Sequence, residues 1–247
     1  IPARMASTRF PGKVLASATG RPLIQHVYEA VCGASSLSRV VVATDDQRVA
    51  AAARAFGAEA VMTADHHRNG TSRIGEAASI LGLADDQLVV NVQGDEPELD
   101  PRAIDAAVKA LVEGELSCGA VVGTVASPMD ATEDPGNPNI VKIVRDRSDC
   151  ALYFSRACIP HFREAPSPRS QPYLRHVGIY VYRKSFLDRY LRLPPTPLEQ
   201  AEQLEQLRML EHGHKIAVAE HPTSHTGIDT PEQYEQFVRR WNARALH

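Results

Sequence analysis

Arg4, Arg9 and Lys13 place three cations in the segment Ile1-Pro2-Ala3-Arg4-Met5-Ala6-Ser7-Thr8-Arg9-Phe10-Pro11-Gly12-Lys13, around a small-residue turn that reads as the end of a first strand. Such a turn can present backbone N–H groups to phosphate oxygens, while two guanidinium forks and a mobile ammonium add charge-assisted bonds. The chemistry on offer is polyanion binding. The Walker pattern G-x-x-x-x-G-K-S/T is absent, so a phosphate grip here is of another kind. A solvated basic loop is the competing reading of the same residues.

Val92-Gln93-Gly94-Asp95-Glu96-Pro97 sets carboxylates directly after an apolar strand, and Gly227-Ile228-Asp229-Thr230-Pro231 sets another just ahead of a closing helix. Asp95 suits Mg²⁺, which takes oxygen ligands from one or two carboxylates together with substrate phosphates. Either Asp229 or Thr230 caps the helix that starts at Pro231. Periodicity does not say whether Asp95 and Asp229 meet. With the amino-terminal cations they form a set suited to holding a triphosphate and offsetting charge on its α-phosphate during displacement. The sequence carries no covalent serine motif, no Cys/His metal cluster and no G-x-G-x-x-G after the first strand, which leaves direct phosphoryl chemistry as the simplest reading.

Arg156, His176, Tyr180, Glu205 and Gln206 form a second polar set. Arg156 suits a carboxylate and the others suit hydroxyls, so the set is fit to read a polyhydroxylated acid. His176 and Tyr180 are four apart in a strand-like run and would point to one face. A structural histidine and an ordinary helix surface are the plainer alternatives.

These residues need a scaffold that brings strand ends together. Segments 22–32, 47–57, 71–81 and the run after Pro101 have helical periodicity, and 39–44, 60–63 and 87–93 read as β-branched or apolar strands between them. Strand-then-helix units with near-continuous apolar strands predict a parallel sheet covered on both faces, with ligands at the carboxyl ends of its strands. After residue 118 the rhythm changes: 118–125 is strand-like, 140–144 and 150–154 suggest a hairpin, and 176–182 is another strand. The pattern predicts one helix over 199–212, a strand over 215–219 and a helix over 231–241.

The 247 residues are 43% hydrophobic and 23% charged, which suits a substantial core and excludes overall disorder. A net charge of −3 leaves no global electrostatic footprint for a nucleic-acid partner. Cys32, Cys118, Cys150 and Cys158 lack metal-site spacing and read as reduced core thiols. With no signal peptide and no apolar run of membrane-spanning length, the expectation is a cytoplasmic protein without stable membrane insertion. Ile1 enters partway through a hydrophobic strand, so a few residues are expected upstream.

The motifs, taken in order, resemble the 3-deoxy-manno-octulosonate (Kdo) cytidylyltransferases. The resemblance rests on Ile1-Pro2-Ala3-Arg4, Ser7-Thr8-Arg9, Pro11-Gly12-Lys13, Ala43-Thr44-Asp45, Asn91 to Pro97, Tyr153-Phe154-Ser155-Arg156, His176 to Tyr180, Leu204 to Arg208 and Gly227 to Pro231. It implies an α/β fold, a three-layer α/β/α sandwich of the nucleotide-diphospho-sugar transferase type, mostly parallel with a smaller antiparallel dimerisation region. The chain would be a single domain over 1–247, with 1–125 mainly binding nucleotide and about 140–182 serving the sugar and a homodimer contact. The implied activity joins CTP to Kdo with Mg²⁺, giving CMP-Kdo and pyrophosphate for lipopolysaccharide. An amino-modified octulosonate or a sialic acid remains an alternative acceptor, and a sugar phosphate a more distant one.

Carried over by position, Arg4, Lys13, Asp95 and Asp229 are the catalytic set, and Asp95 and Asp229 the Mg²⁺ ligands. Arg4, Ser7, Lys13, Asn69, Gly70, Arg73, Gln93 and Asp95 would bind nucleotide. Arg156, His176, Tyr180, Glu205 and Gln206 would surround the sugar acid. One segment departs from the family pattern of Asp-His-x-Ser-Gly-Thr followed by an acidic residue and Arg. Here His66, Asn69 and Ser72 replace its Asp, Ser and acidic residue, while Gly70, Thr71 and Arg73 are kept. The segment is expected beside the base.

Overall fold

Helix and strand boundaries follow the apolar periodicity closely. The structure is a computed structural model describing residues 1–6, 9–67, 69–164, 173–223 and 227–244. Its elements begin β1 (Pro2–Ala3), α1 (Leu23–Cys32), β2 (Val41–Thr44), α2 (Gln47–Ala55), β3 (Glu59–Met62), α3 (Gly70–Ile80), β4 (Leu88–Asn91) and α4 (Pro101–Ser117). They continue β5 (Ala120–Pro128), β6 (Lys142–Arg145), β7 (Ala151–Ser155), β8 (Leu174–Arg183), α5 (Lys184–Tyr190), α6 (Pro197–Glu202), α7 (Gln206–Glu211), β9 (Lys215–Glu220) and α8 (Pro231–Arg244). The fold is mixed α/β, with parallel strands and a smaller antiparallel region, as the sequence predicted.

One compact unit comprises Ile1–Leu83, Asn91–Arg102 and the described residues from 227 onward. Its strands run parallel in the order β1-β2-β3, with Pro2 opposite Ala43 and Val41 opposite Glu59. Helix α1 starts after Pro22, whose fixed φ suits the entry, and buries Leu23, Ile24, Val27 and Val31 on one stripe. Leu23 packs with Ile228, Tyr234 and Phe237, which fixes α8 and the segment before it in the same core.

The second unit comprises Ala84–Val90 and Ala103–Thr223. Its sheet runs β7-β6-β8-β5-β9, with β4 also paired to β8. The expected hairpin is β6 against β7, antiparallel, and β8 runs antiparallel to both β5 and β6. Strand β9 is parallel to β5. The pairing shifts where Thr124 opposite Tyr180 gives way to Val125 opposite Val177, leaving Gly178 and Ile179 as a bulge on β8. Two inserted residues preserve side-chain parity, so His176 and Tyr180 share a face as expected.

Two expectations change. The single helix over 199–212 is instead α6 and α7, separated at Gln203, whose φ of 53° lies in the left-handed region and ends α6. Cys118 and Cys150 lie side by side, and Cys32 and Cys158 are free and exposed rather than lying as core thiols. No helix among the described residues is long and apolar enough to cross a membrane.

Candidate active site

Lys13 is delivered by a loop that folds back on itself. Gly12 N–H donates to Met5 O at 3.1 Å, and Lys13 N–H to Phe10 O at 3.2 Å. Gly12 adopts φ 70°, a conformation that glycine takes without penalty, and Lys13 opens a single 3₁₀ turn through Leu15. The side chain points inward, only 10% exposed. The carboxylate turn after β4 approaches the same region because Gly94 has no side chain: a Cβ there would lie 2.7 Å from Pro2 O. Ile228 N–H then donates to Asp95 O at 2.8 Å, tying the segment before α8 to that turn.

These constraints bring Asp95 and Asp229 together on one cation. Lys13 Nζ donates to Asp95 Oδ2 at 2.7 Å, to Ile228 O at 2.7 Å and to Asp229 Oδ1 at 3.1 Å. Arg9 pairs with Asp229 Oδ2 at 2.8 Å. Asp229 is available for this role because Thr230 is the helix cap. Gln233 Oε1 accepts from Thr230 N–H at 3.0 Å while Thr230 Oγ1 accepts from Gln233 N–H at 3.3 Å, a reciprocal capping box. Burial raises the Asp95 carboxyl above its ordinary value, a rise that the Lys13 ammonium only moderates. Arg9 and Ile228 O extend the set that the sequence motifs assign. Arg9 was readable as part of the basic turn, whereas a backbone carbonyl leaves no signal in residue type.

A cavity of about 290 Å³ opens beside this cluster, close to the lower end of the range for small-molecule sites. Arg4, Lys13, Asp95, Asp229, Asn69, Gly70, Arg73 and Gln93 all line it. Every described nucleotide-site candidate therefore falls on a single cavity, while Ser7 lies outside the described residues. Arg73 is held rigidly, donating to Thr63 Oγ1 at 2.7 Å and Asp45 Oδ2 at 3.0 Å.

The departures at Asn69 and Ser72 have a local physical reason. Ser-x-x-acid is a helix capping pair, and here Asn69 Oδ1 accepts from Ser72 N–H at 2.9 Å while Ser72 Oγ donates to Asn69 O at 3.1 Å. The two changes together keep α3 capped and Gly70 at its first position. His67, on the same wall, bonds Glu76 Oε2 at 2.5 Å, and Glu76 also accepts from Ala64 N–H at 2.8 Å. The His67 hydrogen bond lowers the Glu76 carboxyl.

The second polar set lies within the second unit. His176 Nε2 meets Thr124 Oγ1 at 3.0 Å, and that hydroxyl donates to Ile179 O at 2.7 Å inside the bulge. The hydroxyl proton being committed, His176 Nε2 carries the hydrogen. Burial lowers its pKa from 6.5 to about 3. Tyr180 lies tilted against His176, 5.2 Å between ring centroids, and burial, then Glu205, raises its phenol well above the ordinary value. Gln206 is buried at the start of α7, next to Glu205.

Arg156 is engaged differently from an open carboxylate clamp. Its guanidinium donates to Glu202 O at 2.8 Å, Pro138 O at 2.9 Å and Gln203 O at 3.4 Å. It thereby pins the left-handed turn that leads into Glu205 and Gln206. Among the described residues, no group of three or more His, Cys, Asp or Glu is arranged to hold a metal ion. The Asp95–Asp229 pair with Ile228 O is an all-oxygen donor set converging on the Lys13 ammonium, which suits a hard cation completed by phosphate oxygens.

The cytidylyltransferase family signature matches residues 1–216. A 3-deoxy-manno-octulosonate cytidylyltransferase from Syntrophobacter fumaroxidans is 49% identical over 96% of this chain and 94% of its own length. One from Francisella tularensis subsp. novicida is 44% identical over 98% and 97%. A solved structure of CMP:2-keto-3-deoxy-manno-octonic acid synthetase in complex with CTP superposes with a TM-score of 0.89 at 39% identity, covering 98% of this chain and 97% of that one. A cytidylyltransferase from Leptospira borgpetersenii, at 16% identity and TM-score 0.59, shares the fold.

Proposed function

The chain belongs to the 3-deoxy-manno-octulosonate cytidylyltransferase family, and from that membership and its cation–carboxylate cluster we propose that it transfers CMP from CTP to Kdo. The products are CMP-Kdo, for lipopolysaccharide synthesis, and pyrophosphate. The observation that carries the reading is the convergence of Lys13, Asp95 and Asp229 on one point of a cavity walled by Arg4, Asn69 and Arg73.

Arg4, Arg9 and Lys13 supply the positive charge that holds a triphosphate. Asp95 and Asp229 would hold Mg²⁺, which when bound offsets charge on the phosphoryl oxygens as displacement proceeds. The C2 hydroxyl oxygen of Kdo forms a bond to the α-phosphorus as the bond to the bridging oxygen breaks. The hydroxyl proton passes to solvent and pyrophosphate takes the bonding pair. His176, held neutral, and Tyr180, held as a phenol, orient hydroxyls without adding charge, and Glu205 and Gln206 complete the acceptor set. Catalysis is then placement and charge stabilisation.

We read residues 1–247 as one catalytic domain, with 1–125 mainly serving the nucleotide and about 140–182 serving the sugar and a homodimer contact. Strand β7 is an edge of its sheet and exposes 60% of Leu152, which supports that placement. The direct test of the catalytic reading is Asp95→Asn. Pyrophosphate release from CTP, Kdo and Mg²⁺ should fall on the order of a hundredfold, the size seen when one preorganised charge-stabilising group is removed. The circular dichroism spectrum should not change. An undiminished rate would remove the metal assignment.

A further inference from the structure

Lys13 is asked to do two things that exclude each other. A triphosphate needs its ammonium, yet that ammonium lies between Asp95 Oδ2, Asp229 Oδ1 and Ile228 O at 2.7, 3.1 and 2.7 Å. Those oxygens are the donors that a hard divalent cation would use. Arg9 holds the remaining Asp229 oxygen at 2.8 Å, so the two carboxylates are balanced by two cations. A divalent ion arriving alone meets two carboxylates already paired with cations, the inner one a side chain only 10% exposed. Displacing that ammonium without another anion to receive it strands a buried positive charge beside the incoming one.

A triphosphate resolves the conflict by bringing anionic oxygens that receive Lys13 and Arg9 as the carboxylates are released. We propose that Lys13 is the resident cation of the Asp95–Asp229 pair, and that a nucleoside triphosphate creates the divalent-metal site by drawing Lys13 and Arg9 onto its phosphates. The inference rests on Asp95 and Asp229 being the metal ligands. Metal and nucleotide are then coupled: each raises the affinity for the other by the same factor. A nucleoside monophosphate, lacking the outer phosphates, leaves the pair closed.

The test is Mn²⁺ binding to the full chain without nucleotide, read by electron paramagnetic resonance of the free ion and by calorimetry. Lys13→Gln keeps hydrogen-bond donors for Asp95 and Ile228 O while removing the charge, and Lys13→Met is a second neutral variant should the first fold poorly. Either should bind Mn²⁺ on the order of tenfold more tightly than the parent protein, within the usual range of site-to-site coupling. Adding Asp95→Asn to the Lys13→Gln chain should abolish the gain. Equal affinity in the parent and the neutral variants, or a gain that survives Asp95→Asn, overturns the inference. So does a parent protein that binds Mn²⁺ as tightly alone as with the α,β-methylene analogue of CTP, a comparison that needs no variant. Failure of the underlying metal reading is distinguishable, because it appears as full Mg²⁺-dependent turnover in Asp95→Asn.

Discussion

A carboxylate as enclosed as Asp95 needs a cation at its side, and Lys13 supplies it from 82 positions away in the chain. The residue types were readable because each follows a local rule: cations in a small-residue turn, carboxylates at a strand end. Their meeting was not, since it depends on Gly94 admitting Pro2 O and on Ile228 reaching Asp95 O. The choice between Asp229 and Thr230 as helix cap also waited for geometry, because both are good caps and only Gln233 decides between them. Arg156 shows the opposite case, a side chain read as a carboxylate receptor whose donors lie on backbone carbonyls. Arg156→Ala should raise the KM for Kdo by more than that for CTP, about tenfold for loss of one charge-assisted hydrogen bond. Steady-state kinetics with each substrate varied separately will check this, and a defect confined to CTP would contradict the acceptor role.

At the scale of elements, the departure at Asn69 and Ser72 is a conserved function in different residues. Asn69→Ala should cost about 1 kcal/mol and lower the melting temperature by about 2–4 °C in a chain of this size. Restoring the family pattern with Asn69→Ser and Ser72→Glu together should leave the melting temperature near the parent's, which differential scanning calorimetry will show. The β8 bulge carries a pH signature. Because the folded His176 pKa is about 3 against an ordinary 6.5, the unfolded chain binds a proton that the folded one refuses between those values. The stability is complete above about pH 6.5 and drains away as pH falls towards 3. Urea midpoints of the parent and His176→Asn should therefore converge as pH drops from 7 to 4, and a constant gap would contradict the assignment. The bulge and the turn at Gln203 were not legible, since a strand or helix pattern continues through both and tertiary hydrogen bonds interrupt it.

For the whole molecule, alternation of strand and helix foretold a parallel α/β arrangement, and the switch after residue 118 foretold the antiparallel region. Strand order was out of reach. Pairing of β9 beside β5 joins residues some hundred positions apart, and nothing in either run specifies its neighbour. The approach of Cys118 to Cys150, 32 positions apart, was equally out of reach. If β7 forms the face of a homodimer, Leu152→Glu should convert dimer to monomer in sedimentation equilibrium. An unchanged mass would move the interface elsewhere. The central claim is the identity of the two substrates, and pyrophosphate release with Mg²⁺ tests it most directly, crossing CTP, UTP, ATP and GTP with Kdo, 8-amino-Kdo and N-acetylneuraminate. Rapid release with CTP and Kdo alone is the predicted result; a different active pair, with CTP and Kdo silent, would contradict it and direct attention to the His66–Ser72 segment.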